Sequence, residues 1–294
     1  MKPPLEPSKE DCCNSGCNPC IFDVYEKQLA LYNKYLESGE LPGDPQKNAI
    51  SQTKYTNFIV IENLHISESH RLLKFRNKLG GNEKVFWKPG DHFLVKFSSE
   101  SISCSRAYTP IKLKCNEDNF DFLVVVKKYE NGLVSKYLFN LKLGEDTLWR
   151  GPYGSYDMNP NKFKRIFMIA QGTGIAPFIS IIEEILNNED DFTKLFLYYS
   201  CRSLEDVLFR DCLYSFKSFW NFSYTIFLKV PTDNDGFKYQ EPIRNYKLNN
   251  NDFASIRPFN VDDQFLVCGS TKFMESYRDW LLVTENFQGD IKLF

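Results

Sequence analysis

Hydrophobic and polar positions fall into two textures along the chain. From about Lys54 to Asn159, apolar residues come in short β-branched or aromatic runs broken by Pro, Gly and Asn. The runs are Asn57–Glu62, Val85–Phe97 with its Pro89-Gly90 turn, Asp121–Tyr129 and Thr147–Tyr156. Short strands with this punctuation predict a small antiparallel β-barrel. From about Phe163 the pattern becomes strand–helix alternation. Ile166–Ala170 reads as a buried strand, Gly172-Thr173-Gly174 as a turn, and Ile175–Leu186 as an amphipathic helix that tolerates Pro177 in its first turn. Then follow a strand at Lys194–Ser200, a helix at Glu205–Trp220, a strand at Phe222–Leu228, a strand meeting a turn at Gln264–Ser270, and a helix at Thr271–Val283. Such βαβ alternation predicts a doubly wound parallel sheet with ligands at the carboxyl ends of its strands. The fold class is therefore β followed by α/β.

Residues 1–49 look separate from both. Pro3, Pro4 and Pro7 open the chain, and Cys12, Cys13, Cys17 and Cys20 follow within nine positions. Val24, Leu29, Leu31, Tyr32, Tyr35 and Leu36 are spaced as a short helix, which Leu41-Pro42-Gly43-Asp44-Pro45 ends as a linker. This predicts an independent appendage at 1–49, a barrel domain at 50–159 and an α/β domain at 160–294. Thiolates are soft ligands and Cys17-x-x-Cys20 is a zinc-knuckle spacing. The adjacent pair Cys12-Cys13 is awkward for one tetrahedron, and a disulfide or free thiols are the alternatives. No metal is assigned.

Composition narrows the classes. The 294 residues are 43% hydrophobic and 25% charged, enough for about two domains. A net charge of −2 implies no bulk attraction to nucleic acid. Nothing approaches the roughly 18 apolar residues of a membrane span, and the opening residues do not read as a signal peptide. Nine cysteines, five of them scattered, suit a reducing compartment better than a disulfide scaffold.

The candidate chemistry lies in motifs. The turn Gly172-Thr173-Gly174 lets backbone approach a ligand where a helix begins. It is not the G-x-G-x-x-G fingerprint, because Pro177 stands where the last glycine belongs. Arg106-Ala107-Tyr108-Thr109-Pro110 sets a cation, a ring and a hydroxyl in one strand-turn. Asn131-Gly132-Leu133-Val134-Ser135 places a glycine turn before a serine that caps a short helix, an end that suits a phosphate. Cys268-Gly269-Ser270 puts a thiol at a strand's carboxyl end.

In this order, from R-x-Y-T-P through G-x-x-S, G-P-x-G and G-T-G-I-A-P to C-G and Phe294, the chain from Tyr55 resembles the ferredoxin-reductase superfamily. It is most similar to the NADH–cytochrome b5 reductase branch. The Cys-rich region before it resembles a short oxidoreductase-like module. The resemblance implies FAD on the barrel and NADH on the sheet. It implies that Arg106 pairs with the FAD pyrophosphate and that Tyr108 and Thr109 hold the ribityl chain and ring. Val125 and Lys127 would lie by the flavin, and Gly132, Val134 and Ser135 by the phosphates. Gly172, Thr173 and Gly174 would meet the cofactors, with Thr173 against the isoalloxazine and Cys268 beside the nicotinamide. Thr173, Lys127 and Cys268 are the residues implied nearest the chemistry. Asp206, after the strand Lys194–Ser200, would face the adenosine ribose and favour NADH, and Arg202 argues the other way.

The implied function is a reductase passing electrons from NADH through flavin to a one-electron acceptor, a haem protein such as cytochrome b5. The rivals are a reductase for an iron–sulfur protein or quinone, and a flavin- and dinucleotide-binding interaction protein with little turnover. The implied setting is cytoplasmic, with peripheral association to the endoplasmic reticulum or a mitochondrial membrane. The chain departs from the family pattern at Gln171, where glycine is usual, at Ala176, at Ser270 in place of proline, and at Leu133 in place of lysine. Gln171 is expected to crowd the dinucleotide. The cations Arg71, Lys74, Arg76, Lys78, Lys84 and Lys88 read as a solvated loop, or as a docking face for an acidic partner. His92 reads as structural.

Overall fold

The computed structural model describes residues 3–9, 12, 20–38, 48–80, 83–114, 119–233 and 236–294. It divides into two compact units, Met1–Tyr156 and Asp157–Phe294. Helix α1 spans Ile21–Ser38. Six strands follow, β1 (Thr56–Ser67), β2 (His70–Asn77), β3 (His92–Ser98), β4 (Ser103–Tyr108), β5 (Phe122–Lys127) and β6 (Asp146–Tyr153), with helix α2 (Leu133–Phe139) before β6. They pair antiparallel in the order β4-β3-β6-β1-β2-β5. Ile111, just past β4, exchanges both backbone hydrogen bonds with Leu123 of β5, each 2.9 Å, which joins the two ends of the sheet.

Aromatic residues fill this barrel because each strand turns alternate residues inward. Phe122 is the hub, with Phe58, Phe75, Phe93 and Trp149 at ring separations of 5.0, 5.2, 5.1 and 5.2 Å. The Trp149 indole donates to Thr147 Oγ1 at 2.8 Å, and Thr147 donates to Phe58 O at 2.8 Å, so no polar atom there is wasted. Val134, Leu138 and Phe139 of α2 close the same core.

One expectation needs correction in this unit. Arg71, Lys74 and Arg76 are in strand β2, not a loop, and they are engaged. Lys74 pairs with Glu62 at 2.6 Å and Lys78 with Asp146 at 2.6 Å. Arg76 donates to Asn119 O at 2.7 Å, and the Arg71 guanidinium lies 4.7 Å from the Phe139 ring centroid. Only Lys74 and Lys78 of the six meet a carboxylate in these contacts; Arg71 and Arg76 keep their charge. Helix α1 of residues 1–49 packs on the barrel. Val24 of α1 is buried in one cluster with Leu94 of β3 and Tyr153 of β6. The linker expected at Leu41–Pro45 lies outside the described residues.

The second unit holds β7 (Arg165–Gln171), α3 (Ala176–Leu186), β8 (Lys194–Cys201), α4 (Arg210–Phe216), β9 (Phe222–Leu228), β10 (Ile243–Arg244), β11 (Asp263–Cys268), α5 (Thr271–Val283) and β12 (Asp290–Leu293). The strands form one parallel sheet in the order β10-β9-β8-β7-β11-β12. The chain winds outward from β7 in one direction, then returns to its other side with β11. The helix expected over Glu205–Trp220 is shorter. A 3₁₀ turn covers Leu204–Asp206, and Phe209 takes a left-handed conformation, φ 54°, at the start of α4. A bulky residue with positive φ interrupts a helix.

Candidate functional site

Three separated motifs converge on one seam of the barrel. The Ile111–Leu123 bridge brings the segment after β4 alongside β5. Because Leu123 directs its N–H and C=O to Ile111, period-two alternation turns those of Val125 and Lys127 to the same side. No ladder continues there among the described residues. Tyr108, on β4, rests edge-on to Trp149 at 6.2 Å. Burial raises its phenol pKa, the neighbouring Tyr129 adds to the rise, and Arg106 opposes it. Arg106 is exposed, donates to Ser105 O at 2.9 Å, and has no carboxylate partner among the described residues. Lys127 Nζ lies 5.7 Å from the Tyr129 ring centroid.

The turn into α2 completes this seam. Gly132 is the N-cap, so Ser135 is not the cap that its position in the sequence suggests. It is buried, and its hydroxyl accepts from Tyr129 N at 3.3 Å and donates to Gly132 O at 3.2 Å. The first intrahelical bond is Lys136 N–H to Gly132 O, which leaves the amides of Leu133, Val134 and Ser135 ahead of the helical ladder. A cation, helix-end amides and an unpaired strand edge form a donor set that fits a phosphate-bearing ligand whose ring has amide-like edges. Tyr129 is the residue the sequence reading missed here. Its only signal is its place between Lys127 and Gly132.

The second unit carries its own candidate region, at the switch point of the parallel sheet. Cys268 of β11 lies in register with Ala170 of β7. Gly172-Thr173-Gly174 forms a 3₁₀ turn into α3. Gly172 has φ +53° and open space around it, and a Cβ on Gly174 would sit 2.3 Å from Cys268 O. Only glycine allows that approach of turn to strand end. Thr173 is half-buried. Burial pushes the Cys268 thiol up to about 12, and its Sγ donates to Phe294 O at 3.8 Å. It is a neutral thiol that shapes a wall, not a thiolate nucleophile.

Tyr199 went unread in the sequence. It is fully buried, donates to Gly172 O at 3.0 Å and accepts from Leu208 N at 3.3 Å. It thereby ties the glycine turn to the segment carrying Asp206. Asp206 ends the 3₁₀ turn half-buried, and Arg202 is exposed.

At the N-terminal end, Cys12 Sγ and Cys20 Sγ are 4.0 Å apart, while Cys13 and Cys17 lie outside the described residues. Among the described residues no group of three or more His, Cys, Asp or Glu is placed to hold a metal.

Family comparison agrees with this division of labour. Residues 57–158 match the oxidoreductase FAD-binding domain, 168–279 the oxidoreductase NAD-binding domain, and 1–40 the oxidoreductase-like protein N-terminal region. The "NADH-cytochrome b5 reductase-like" protein of Mus musculus is 30% identical over 298 residues, covering 95% of this chain and 91% of the mouse protein. Its Homo sapiens counterpart is 28% identical over 295 residues, covering 95% and 90%. The crystal structure of the cytochrome b5 reductase domain of Ulva prolifera nitrate reductase superposes with a TM-score of 0.66 at 22% identity, covering 84% of this chain and 100% of that one, which shows the shared fold. With barrel, switch-point sheet and near full-length alignment in agreement, the chain belongs to the NADH–cytochrome b5 reductase-like family of FAD- and NAD-dependent oxidoreductases.

Proposed function

We propose that the protein passes electrons from NADH through FAD to a one-electron acceptor, a haem protein such as cytochrome b5. The observation that carries this reading is the alignment over 95% of the chain with the mouse reductase-like protein. FAD supplies the conversion between hydride transfer and single-electron transfer. The chain's own residues bind and orient. Arg106 neutralises the pyrophosphate, helped by the amides of Val134 and Ser135 after Gly132. Tyr108 and Thr109 hold the ribityl chain and ring, and the backbone of Val125 and Lys127 meets the ring's polar edge. On the sheet, Gly172, Thr173 and Gly174 take the dinucleotide close to backbone, Cys268 walls the nicotinamide, and Asp206 accepts from the adenosine ribose.

The same proposal divides the chain at 1–49, 50–159 and 160–294 and sets it in the cytoplasm, peripheral to the endoplasmic reticulum or a mitochondrial membrane. Among the described residues no helix is long and apolar enough to cross a membrane. Steady-state NADH oxidation with cytochrome b5, ferricyanide and a quinone side by side tests the acceptor. Cytochrome b5 reduction no faster than quinone reduction counts against it. Failure of NADH to bleach the flavin within seconds removes the reductase reading.

A further inference from the structure

At the carboxyl ends of β7 and β11, Gln171 reaches across to Ser270. Its Oε1 accepts the Ser270 N–H at 3.3 Å, and Ser270 Oγ lies 2.8 Å from the same oxygen. A backbone N–H can only donate, so this contact fixes which end of the carboxamide is oxygen. The Nε2 end then keeps both its N–H groups, with no protein partner among the described residues. The side chain is seated as well as clasped, since a Cβ on Gly269 would come within 2.8 Å of Gln171 Cβ. It is half-buried and stands where the sheet reverses its winding, with β8 on one side of β7 and β11 on the other. That reversal is where open α/β sheets take their ligands.

The structure joins Gln171 and Ser270 across 99 positions of the chain. Thr173, Cys268, Gly269 and Ser270 around them bring no ionised group that would draw a phosphate. A fixed pair of neutral N–H donors matches a neutral amide oxygen. We propose that Gln171, held by Ser270, donates an Nε2 N–H to the carboxamide oxygen of the nicotinamide ring and so sets the orientation of that ring. This assigns Gln171 as a specificity-determining residue and Ser270 as a positioning residue. The assignment rests on the reading of this sheet as the dinucleotide site.

The test is calorimetric binding of NAD⁺ and of ADP-ribose, which lacks the nicotinamide, to the FAD-loaded full chain and to Gln171→Leu and Ser270→Ala. Gln171→Leu weakens NAD⁺ by about three- to tenfold, the loss of one neutral hydrogen bond, and leaves ADP-ribose unchanged. Ser270→Ala moves NAD⁺ the same way by less. Equal shifts for both ligands overturn the proposal, because they report general fit. Tighter NAD⁺ binding to Gln171→Leu also overturns it, because the side chain then only obstructs. Should Gln171→Leu fail to hold FAD, the difference between the two ligands in Ser270→Ala decides alone. Absence of ADP-ribose binding to the unaltered chain overturns the placement of the dinucleotide itself, and the inference with it.

Discussion

Arg165 grips both carboxylate oxygens of Asp263, Nε at 2.7 Å and Nη2 at 2.6 Å, across the first register pair of β7 and β11. Its remaining donors reach Ile256 O at 3.1 Å and Pro258 O at 2.9 Å. Asp263 is almost wholly buried and Arg165 partly so. The pair pins the register at the amino ends, and that register decides which residues meet at the carboxyl ends. Asp263→Ala strands a guanidinium in place and should cost about 3 kcal/mol in urea unfolding of the second unit. Replacing both residues with apolar ones should cost less than that single change. A double replacement as damaging as Asp263→Ala argues against the pairing as the source of the loss.

Arg106 is the cation best placed to answer the FAD pyrophosphate, being exposed and without a carboxylate among the described residues. Removing one charge-assisted contact is worth about 1.5–3 kcal/mol, roughly ten- to a hundredfold in affinity. Arg106→Ala should therefore lose flavin absorbance during purification, and adding excess FAD should restore it. Full flavin occupancy in the purified variant sinks the assignment.

Much of this architecture was legible because period and punctuation carried it. The predicted Phe222–Leu228 strand and Thr271–Val283 helix coincide with β9 and α5, where apolar spacing is undisturbed. Strand β2 was hidden because long cationic side chains occupy it. Their stems and heads lie over aromatic rings, Lys74 over Phe120 at 5.1 Å and Arg71 over Phe139, so residues that look solvated serve as cover. The short α4 was illegible because Phe209's left-handed backbone has no sequence signature. Gln171 was visible as a departure, but its clasp with Ser270 depends on the pairing of β7 with β11, which no local pattern encodes. Tyr199 had the look of an ordinary buried aromatic until its hydroxyl was seen joining two loops.

His92 carries a prediction about acid. Burial alone holds its imidazole down from 6.5 to about 4, its Nε2 has no hydrogen-bond partner, and its ring lies 5.9 Å from that of Tyr153. The folded state thus binds a proton less readily than the unfolded chain. The stability this represents is complete above pH 6.5 and is lost as pH falls toward 4. At about 1.4 kcal/mol per unit it amounts to at most about 3.5 kcal/mol. His92→Phe, which keeps a ring against Tyr153, should flatten the fall in Tm between pH 7 and pH 4.5. An unchanged fall would assign the acid sensitivity to other groups.

The docking of α1 makes residues 1–49 part of the barrel's stability. Val24 lies against Leu94 and Tyr153, both about 1% exposed, so removing residues 1–49 uncovers them. Val24→Ala alone removes two methyl groups' worth of burial, about 1.5 kcal/mol. Deletion of 1–49 should lower Tm by several degrees while FAD stays bound, since the flavin seam is built from β4, β5 and α2. A deletion variant with unaltered Tm would return 1–49 to the status of a detached module.

In the proposed reading, cosubstrate choice turns on Asp206 and Arg202. Asp206 ends its 3₁₀ turn half-buried just beyond β8, held near the glycine turn through Leu208 and Tyr199. A carboxylate there accepts the ribose 2′-hydroxyl and repels a 2′-phosphate. Leaving that phosphate beside the carboxylate costs about 1–3 kcal/mol, roughly ten- to a hundredfold. Arg202, exposed four positions earlier, is free to swing toward a phosphate and offset part of that cost. The protein should therefore prefer NADH, by less than the carboxylate alone dictates. Asp206→Ser should raise kcat/KM with NADPH, and Arg202→Ala should widen the preference for NADH. Equal efficiency with both cosubstrates, together with no response to Asp206→Ser, would remove this turn from the ribose site.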